Sequence, residues 1–356
     1  GPVLVVGHPK LDHAEARSCG QRACRERGPQ RILLVAQLTD RLSWGDKVSW
    51  RASTFVDGSP GTDDADVPPG SIVINEALAH SDIGGDWIEL RNMTSNSIPI
   101  GGWYLSDSES DVKKYRIPDG VVLSAGGYLL IDESLFNDAG SPDVVTAFAL
   151  SELGERVVLA SAEADGTLRG FRAVEAFGAS DRGVPFGVHV TSEGTSEFVA
   201  MALPTPGAEN SGPLVGPIVI SELMYHPLEG GDEFVELYNA SPTNLPLYDV
   251  DVPSNTWKFT GAMSYLLPQG TVVPGGGYLL VVGTDPSVFR TTHGIDPSIG
   301  IVGPYQGALA NEGEDVRLRK PGPPEPTGEI PYILVEEVAY NDKAPWPVEA
   351  DGDGPS

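Results

Sequence analysis

The chain has 356 residues, 40% of them hydrophobic and 8% aromatic, so it holds enough apolar side chain for packed cores and is not globally disordered. Its formal charge of −27 disfavours nucleic acid as a partner, because binding to phosphate backbones depends on Lys and Arg. No apolar run approaches the roughly 18 residues that a membrane-spanning helix needs, and the first residues lack the basic start of a signal peptide.

The N-terminal segment differs in charge from the rest of the chain. Residues 1–56 hold nine Lys and Arg against five Asp and Glu, a net charge of +4, so the remaining 300 residues carry −31. Residues 1–30 show no clear helical or strand period and are left as an unplaced basic segment. Cys19 and Cys24 lie in it, and their spacing allows a local disulfide, two free thiols or, with His8 and His13, part of a zinc site.

The next stretch predicts a strand and a turn. Arg31-Ile-Leu-Leu-Val-Ala is a short apolar run, and Ser49–Ser53 leads into a turn that contains Ser59-Pro60-Gly61. Thr205-Pro206-Gly207 repeats this turn, and Gly207 follows Gly61 by 146 residues. Residues 31–64 are therefore predicted to be the tail of an incomplete preceding β-sandwich.

A longer repeat has the same period. Residues 72–92 and 218–239 each consist of an apolar run, a loop closed by Gly-Gly-Asp, and a second apolar run that ends in Asn, and they too begin 146 residues apart. This pattern predicts strand, turn, strand. The two copies indicate two units, residues 71–210 and 217–356. The second unit has no closing Pro-Gly and is read as cut short or irregular at its end.

The other repeated blocks also predict strands with their turns, and Gly and Pro are spread through the whole chain. Late strands are expected at Val184–Val190 and Glu197–Ala202, and extended loops at Asp132–Val145 and Thr284–Gly303. About seven to nine strands fit in each unit. The predicted fold class is all-β, with tandem immunoglobulin-like antiparallel β-sandwiches.

These blocks resemble the lamin tail domain in its bacterial, multi-copy form. The resemblance is carried by residues 72–92 and 218–239, by Gly-Gly-Tyr-Leu-Leu, by Gly-Glu-X-Val-X-Leu and by the closing Pro-Gly-X-X-Asn. It implies an immunoglobulin-like β-sandwich without catalytic residues, in large secreted or surface proteins, often beside enzymatic or adhesive domains. An extracellular or cell-surface location follows from the resemblance alone.

Paired acids invite a catalytic interpretation. Glu76 with Glu89, and Glu222 with Glu236, recur at the same repeat positions, and paired carboxylates cleave glycosides in many enzymes. A catalytic pair duplicated in tandem without a substrate-shaped insertion is unusual. These acids are therefore predicted to cap turns or to accept hydrogen bonds from backbone amides.

Metal binding is the other chemistry considered. His80 and His226 share a repeat position. Both are predicted to be ordinary loop residues, and a metal contact is the less favoured alternative. Calcium is a weak prediction, since no acidic loop completes the twelve-residue pattern with a closing Glu. The calcium candidates are Asp82, Asp86, Asp107, Glu109 and Asp111. Weaker acidic loops hold Glu229, Asp232, Glu163, Asp165, Asp351 and Asp353.

No other motif points to catalysis, because the chain contains no Gly-X-Ser-X-Gly, no phosphate-binding loop and no His-Glu-X-X-His. Gly126-Gly127 and Gly275-Gly276-Gly277 are predicted to be hairpin glycines. Trp87, Trp103, Tyr128 and Tyr278 are predicted to be core aromatics, with surface carbohydrate stacking as the alternative.

The sequence therefore favours a non-catalytic extracellular or cell-surface array that is structural or adhesive, with no cofactor other than calcium. Its partner is expected to be a protein or a cell-surface glycan, including a second copy of itself. One alternative is the accessory region of a larger secreted hydrolase, and another is a self-assembling surface or filament subunit.

Overall fold

The computed structural model describes residues 32–36, 50–54, 67–81, 84–192, 194–324, 328–343 and 346, with the backbone alone for 32–36 and 50–54. The strands of the N-terminal half are short and separated by turns. They are β1 (Ile32–Ala36), β2 (Trp50–Thr54), β3 (Ile72–Leu78), β4 (Trp87–Asn92), β5 (Ile98–Pro99), β6 (Tyr104–Ser106), β7 (Tyr115–Arg116), β8 (Val122–Leu123), β9 (Tyr128–Asp132), β10 (Gly154–Ala162), β11 (Leu168–Gly178), β12 (Phe186–Val190) and β13 (Ser196–Ala200). The helix α1 (Glu133–Phe136) follows β9 directly.

The C-terminal half repeats much of this order and adds a longer helix, α2 (Pro286–His293). Its strands are β14 (Ile218–Met224), β15 (Phe234–Asn239), β16 (Leu245–Pro246), β17 (Lys258–Gly261), β18 (Met263–Leu266), β19 (Val272–Val273), β20 (Tyr278–Val282), β21 (Gly300–Val302), β22 (Gln306–Gly307), β23 (Gly313–Pro321) and β24 (Tyr332–Asn341). Strands were therefore predicted correctly at the repeated blocks and at both late positions.

The sheets are built from antiparallel pairs, with a parallel pair between β20 and β21 as an exception. In the N-terminal half the strand orders are β13-β12-β3-β4-β9, β11-β10-β6-β7 and β5-β8. In the C-terminal half they are β14-β15-β20-β21, β22-β18-β17-β23-β24 and β16-β19. The strands β1 and β2 form an antiparallel pair of five residues each. The predicted all-β antiparallel fold class is confirmed.

Alternation along β15 and β20 gives their sheet two apolar faces. Val235 pairs with Val281 and Leu237 with Leu279, and all four lie in a large buried cluster with Trp257, Phe259, Val316 and Leu318. The intervening residues point to the opposite face, as the two-residue period of a strand requires. There Leu280 and Val282 pack against Phe289 of α2. A helix therefore covers the second face of this sheet.

The two predicted extended loops both contain helices. The region Asp132–Val145 contains α1, and Thr284–Gly303 contains α2 and β21. In α2, Asp285 accepts hydrogen bonds from the backbone N–H of Ser287 and Val288, Pro286 opens the first turn, and Gly294 ends the helix at φ 63°. These are the residue types that start and stop helices. The loops were predicted because each unit is longer than the fold needs, and length alone does not show that part of the extra chain is helical.

The prediction of core aromatics holds for one residue of the four. Trp103 is buried and packs against Phe171, with ring centroids 5.1 Å apart. Tyr278 is 41% exposed and lies across from Tyr238, with a centroid separation of 5.0 Å. Tyr128 is half-buried beneath the Arg91 guanidinium at 5.0 Å, and Trp87 is half-buried. The two tyrosines lie on the outward face of their strands, so the core interpretation was wrong for them.

The glycine pairs make tight turns, as expected, although the turns do not close hairpins. Gly126 and Gly276 both have φ 64°, a left-handed conformation that glycine adopts without strain. Each turn leads from a two-residue strand to a strand of another sheet, β8 to β9 and β19 to β20. The turns therefore connect two sheets.

Candidate functional site

One buried asparagine at the end of β4 and one at the end of β15 organise the adjoining loops in the same way. The side-chain nitrogen of Asn92 donates to the carbonyl oxygens of Asn96 at 2.8 Å and Leu123 at 3.0 Å. That of Asn239 donates to Thr243 at 2.8 Å and Val273 at 3.0 Å. Both asparagines are fully buried. Each amide therefore ties two loop carbonyls to the end of its strand.

The acceptor side of each asparagine amide is used as well. Asn92 Oδ1 accepts the backbone N–H of Thr94 at 2.9 Å and its hydroxyl at 2.8 Å. Asn239 Oδ1 accepts the same two groups of Ser241, at 3.0 and 2.8 Å. The two halves thus share one hydrogen-bonding arrangement at the same repeat position. It is a structural arrangement, because every described donor and acceptor in it belongs to a neighbouring loop.

Glu76, in the middle of β3, is used by the segment that follows β13. The Glu76 side chain is fully buried, and its two carboxylate oxygens accept the backbone N–H of Thr205 at 3.1 Å each. Oε2 also accepts the Thr205 hydroxyl at 3.0 Å. The prediction that this acid accepts hydrogen bonds from backbone amides agrees with this geometry. In all three of these hydrogen bonds the Glu76 carboxylate is the acceptor, which is the only role an ionised carboxylate can have.

The neighbouring Asn75 completes what we term the closing contact, formed by Asn75, Glu76, Thr205 and Asn210. The Asn75 side chain donates to Asn210 Oδ1 at 2.6 Å. In return, Asn210 Nδ2 donates to the carbonyl oxygens of Asn75 at 2.9 Å and Val188 at 3.0 Å. The repeated motif Thr205-Pro-Gly-X-X-Asn210 is therefore a clasp that binds β3 and β12 through its first and last residues.

The acids at the matching positions of the C-terminal half have different surroundings. Glu222 is half-buried and lies directly across from Glu236 in the β14–β15 pair. Partial burial, together with the Glu236 charge, raises the pKa of the Glu222 carboxyl. Glu236 accepts the Ser221 hydroxyl at 2.8 Å. The second pair is therefore two half-buried carboxylates on neighbouring strands, whereas Glu76 and Glu89 are both fully buried.

An open cleft of about 480 Å³ lies beside His80. His80 Nε2 is 3.1 Å from a Glu152 carboxylate oxygen, and Nδ1 is 3.2 Å from the Ser180 carbonyl oxygen. A metal ion at His80 would have to displace one of these contacts. The lining residues include Ser81, Asp86, Glu152 and Arg182, so the cleft is polar and carries both signs of charge.

The matching position in the C-terminal half is filled by aromatic side chains that sequence reasoning missed. Tyr225 follows Ala79, a cleft residue, by 146 residues, and it is buried in one cluster with Tyr305 and Tyr340. Glu233 accepts the Tyr305 hydroxyl and the backbone N–H of Leu309, both at 2.9 Å. Burial and the Glu233 carboxylate raise the pKa of the Tyr305 phenol. The sequence signal for this tyrosine cluster was that Tyr225 stands in the second copy where Ala79 stands in the first.

The calcium candidates fall in three places. Asp107 and Glu109 form ion pairs with Lys114 and Arg156, and Asp86 lines the cleft. Asp111 lies in the same loop and accepts the Ser106 hydroxyl through its backbone carbonyl at 2.6 Å. Asp82 lies outside the described residues. Within the described ranges, no group of three or more His, Cys, Asp or Glu side chains is placed to hold a metal ion.

Calcium binding stays a prediction, and a comparison of the melting temperature in excess calcium and in chelator tests it. Among the weaker acidic loops, Glu163 pairs with Arg169, and Asp232 lies 3.1 Å from His293 Nε2. Asp351, Asp353, Cys19 and Cys24 lie outside the described residues. None of the helices in the described part is long and apolar enough to cross a membrane.

The antiparallel sheets and the structural use of the repeated polar residues define an immunoglobulin-like β-sandwich protein. Residues 66–173 match the family model described as Lamin Tail Domain, so the resemblance is confirmed over this part of the chain. This family of immunoglobulin-like domains is non-enzymatic.

A search of solved structures found a DUF4876 family protein from Bacteroides thetaiotaomicron VPI-5482, with 11% sequence identity and a TM-score of 0.24. The alignment covers 78% of this chain and 79% of that chain. No curated protein matches the chain.

Proposed function

We propose that the chain is a non-catalytic array of two tandem β-sandwiches, residues 71–210 and 217–356. The array acts as a spacer or as an adhesive module, outside the cell or at its surface. The observation that carries the proposal is the matched use of Asn92 and Asn239, which each join two loops through the same four kinds of hydrogen bond. In a repeated structural module, polar residues at matching positions are expected to stabilise the same loops in each copy. The extracellular location rests on the family resemblance.

Calorimetry of the full chain tests the array. Asn92→Asp and Asn239→Asp each remove an amide donor from one sandwich, so each is expected to lower a different unfolding transition and leave the other in place. Independent modules are contradicted if both variants lower the same single transition. Asn244→Asp is the control, because the exposed Asn244 side chain serves as an acceptor for Gly275 at 3.2 Å and its replacement keeps that role.

Adhesion to a cell-surface glycan is supported by the aromatic pair Tyr238 and Tyr278. The Tyr278 ring is 41% exposed, and sugars stack on exposed aromatic rings through their apolar faces. A glycan array probed with the full chain and with Tyr278→Ala tests this part of the proposal. A signal that is lost with Tyr278→Ala supports a glycan partner. An array without signal removes the glycan and leaves a protein as the partner.

A further inference from the structure

The two copies carry different side chains at one matching place on the sheet. The repeated motif Glu-Leu-X-Asn ends both β4 and β15, and its variable residue is Arg91 in the first copy and Tyr238 in the second. In each copy the backbone N–H of this Asn donates to the glycine that precedes the tyrosine of Gly-Gly-Tyr, at 3.0 Å. Those tyrosines, Tyr128 and Tyr278, therefore lie beside Arg91 and Tyr238.

In the first copy the chain supplies its own cation to the tyrosine. The Arg91 guanidinium carbon lies 5.0 Å from the centroid of the Tyr128 ring, and the negative face of an aromatic ring attracts a cation at this distance. In the second copy the Tyr238 ring takes the place of the guanidinium, 5.0 Å from the Tyr278 ring. Tyr278 is 41% exposed, so it presents its ring to solvent.

Two carboxylates share the face of the sheet on which these rings lie. Glu236 precedes Tyr238 by two residues of the same strand, so the two side chains point the same way and their backbones are roughly 6.5 Å apart. Glu222 pairs with Glu236 across β14 and β15 and is half-buried, as Glu236 is. The Ser221 hydroxyl donates to Glu236 Oε1 at 2.8 Å, and an ionised carboxylate keeps further acceptor sites.

The helix α2 limits the open part of this face. Phe289 of α2 packs on Leu280 and Val282, whereas Tyr278, two residues before Leu280, is exposed. The rings and carboxylates therefore lie next to the covered part of the sheet. We term them the tyrosine platform, which consists of Glu222, Glu236, Tyr238 and Tyr278.

The chemistry of the tyrosine platform is complementary to a cation with an apolar face. Facing carboxylates on neighbouring strands repel each other, and burial together with the Glu236 charge raises the pKa of Glu222. A cation beside them relieves this repulsion and is attracted by the tyrosine rings. Two neighbouring rings also offer a flat apolar surface for the C–H face of a sugar. The formal charge of −27 draws cations to the molecule.

We propose that the tyrosine platform binds an amino sugar that carries a free ammonium group. The sugar ring stacks on Tyr278, and its ammonium group donates to Glu236 and Glu222. The inference rests on the proposed glycan partner and names the chemical class of that glycan.

Calorimetric titration of the full chain tests the proposal, with oligomers of glucosamine and of N-acetylglucosamine of equal length as the two probes. At about pH 6 an amine is protonated, and an ionic strength of about 0.15 M screens non-specific attraction. The glucosamine oligomer is expected to bind about tenfold more tightly, because only its ammonium groups can make charge-assisted hydrogen bonds. Equal affinities, or no binding of the glucosamine oligomer, would overturn the proposal.

Variants locate the binding. Tyr278→Ala and Glu236→Gln are each expected to weaken binding of the glucosamine oligomer about tenfold. Tyr238→Arg copies the first sandwich and places the chain's own cation on the tyrosine, so it is expected to abolish binding. Tyr128→Ala is the control for the ring, and Glu312→Gln removes one charge from an exposed position. Unchanged affinity in Tyr238→Arg would overturn the proposal.

Two further outcomes separate this inference from the proposed function. A neutral glycan that binds on the array and is lost with Tyr278→Ala would overturn the amino sugar and still support a glycan partner. A blocked Gly-Arg-Gly peptide that binds more tightly than the glucosamine oligomer would overturn the sugar and make a protein the partner. The two calorimetric transitions of the proposed array do not depend on either result.

Discussion

At the scale of single residues, the structure depends on a few buried polar side chains whose partners lie in distant loops. Asn239 is fully buried and makes four hydrogen bonds, two as donor and two as acceptor. A buried amide of this kind is more costly to lose than an apolar contact of the same size, because the buried Val273 carbonyl then loses a donor, whereas the Thr243 carbonyl keeps the Ser241 hydroxyl.

Asn239→Asp is therefore expected to lower the free energy of unfolding by about 2–4 kcal/mol, since two donated hydrogen bonds are lost and a carboxylate faces two carbonyl oxygens. Urea denaturation of the full chain, followed by tryptophan fluorescence, measures the loss. Asn244→Asp is expected to cost less than about 0.5 kcal/mol, as exposed substitutions usually do. Equal losses in both variants would show that burial of Asn239 does not govern its contribution.

Glu222 gives a prediction about pH. Burial and then the Glu236 charge raise the pKa of Glu222, so the folded state binds this proton more tightly than the unfolded state does. The contribution of Glu222 to stability therefore becomes more favourable as pH falls through the raised pKa towards the ordinary value of 4.5. At pH 7 Glu222→Gln removes one of two facing charges, so it is expected to stabilise the chain by roughly 0.2–1 kcal/mol.

Melting curves at pH 7 and at about pH 3.5 check this sign. At the lower pH the raised pKa keeps Glu222 mostly protonated, so the gain from Glu222→Gln is expected to vanish. Glu76→Gln is the matched comparison and is expected to destabilise at pH 7, because its amide would present a donor to the Thr205 donors. A destabilised Glu222→Gln at pH 7 would contradict the assignment of Glu222 as an unfavourable neighbour of Glu236.

These residues show where sequence reasoning stops. That Glu76 would accept hydrogen bonds from backbone amides could be predicted, because a repeated acid without a catalytic setting needs a structural role. Its partner Thr205, 129 residues away, could not be predicted, since the pairing depends on the placement of β12 beside β3. The roles of Asn92 and Asn239 had a signal in the repeated Asn that ends each hairpin.

At the scale of elements, strands were predictable and helices were not. Apolar runs bounded by Gly, Pro and Asn indicate strands, and the second copy of each repeated block supports the same interpretation. The helix α2 opens with Asp285-Pro-Ser-Val-Phe and α1 with Asp132-Glu-Ser-Leu-Phe, so the copies share a helix start that the sequence analysis missed. The sequence signals of α2 were present, with Asp285 and Pro286 at the start and Gly294 after the end. Eight residues are too few for apolar periodicity to stand out.

Asp285→Ala tests whether those signals stabilise α2. The Asp285 carboxylate accepts from Ser287 N at 2.8 Å and Val288 N at 3.1 Å, so its removal is expected to cost about 0.5–2 kcal/mol. Amide hydrogen exchange is expected to speed up in 286–293 and in the Leu280 region that the helix covers. Asp251→Ala is the control, at an exposed position. Unchanged exchange in Asp285→Ala would show that packing of Phe289 alone holds the helix.

At the scale of the whole molecule, the formal charge of −27 acts against the folded state through self-repulsion. Raising the ionic strength from about 0.01 M to about 0.15 M shortens the screening length from about 30 Å to about 8 Å. The melting temperature is therefore expected to rise with NaCl. Choline chloride at equal ionic strength serves as the control for specific cation binding. A melting temperature that falls in both salts would show that attractive ion pairs outweigh the repulsion.

The parallel pair of β20 and β21 has a consequence for the order in which the C-terminal sheet is assembled. Leu279 and Gly300, which face each other in this pair, are 21 residues apart in sequence, and the eight residues of α2 lie in the connection. A short connection closes with a small loss of chain entropy, and the same holds for the hairpin of β14 and β15. Both outer pairs of the sheet are thus formed by local chain, whereas the central pair of β15 and β20 joins Tyr238 to Tyr278, which follows it by 40 residues.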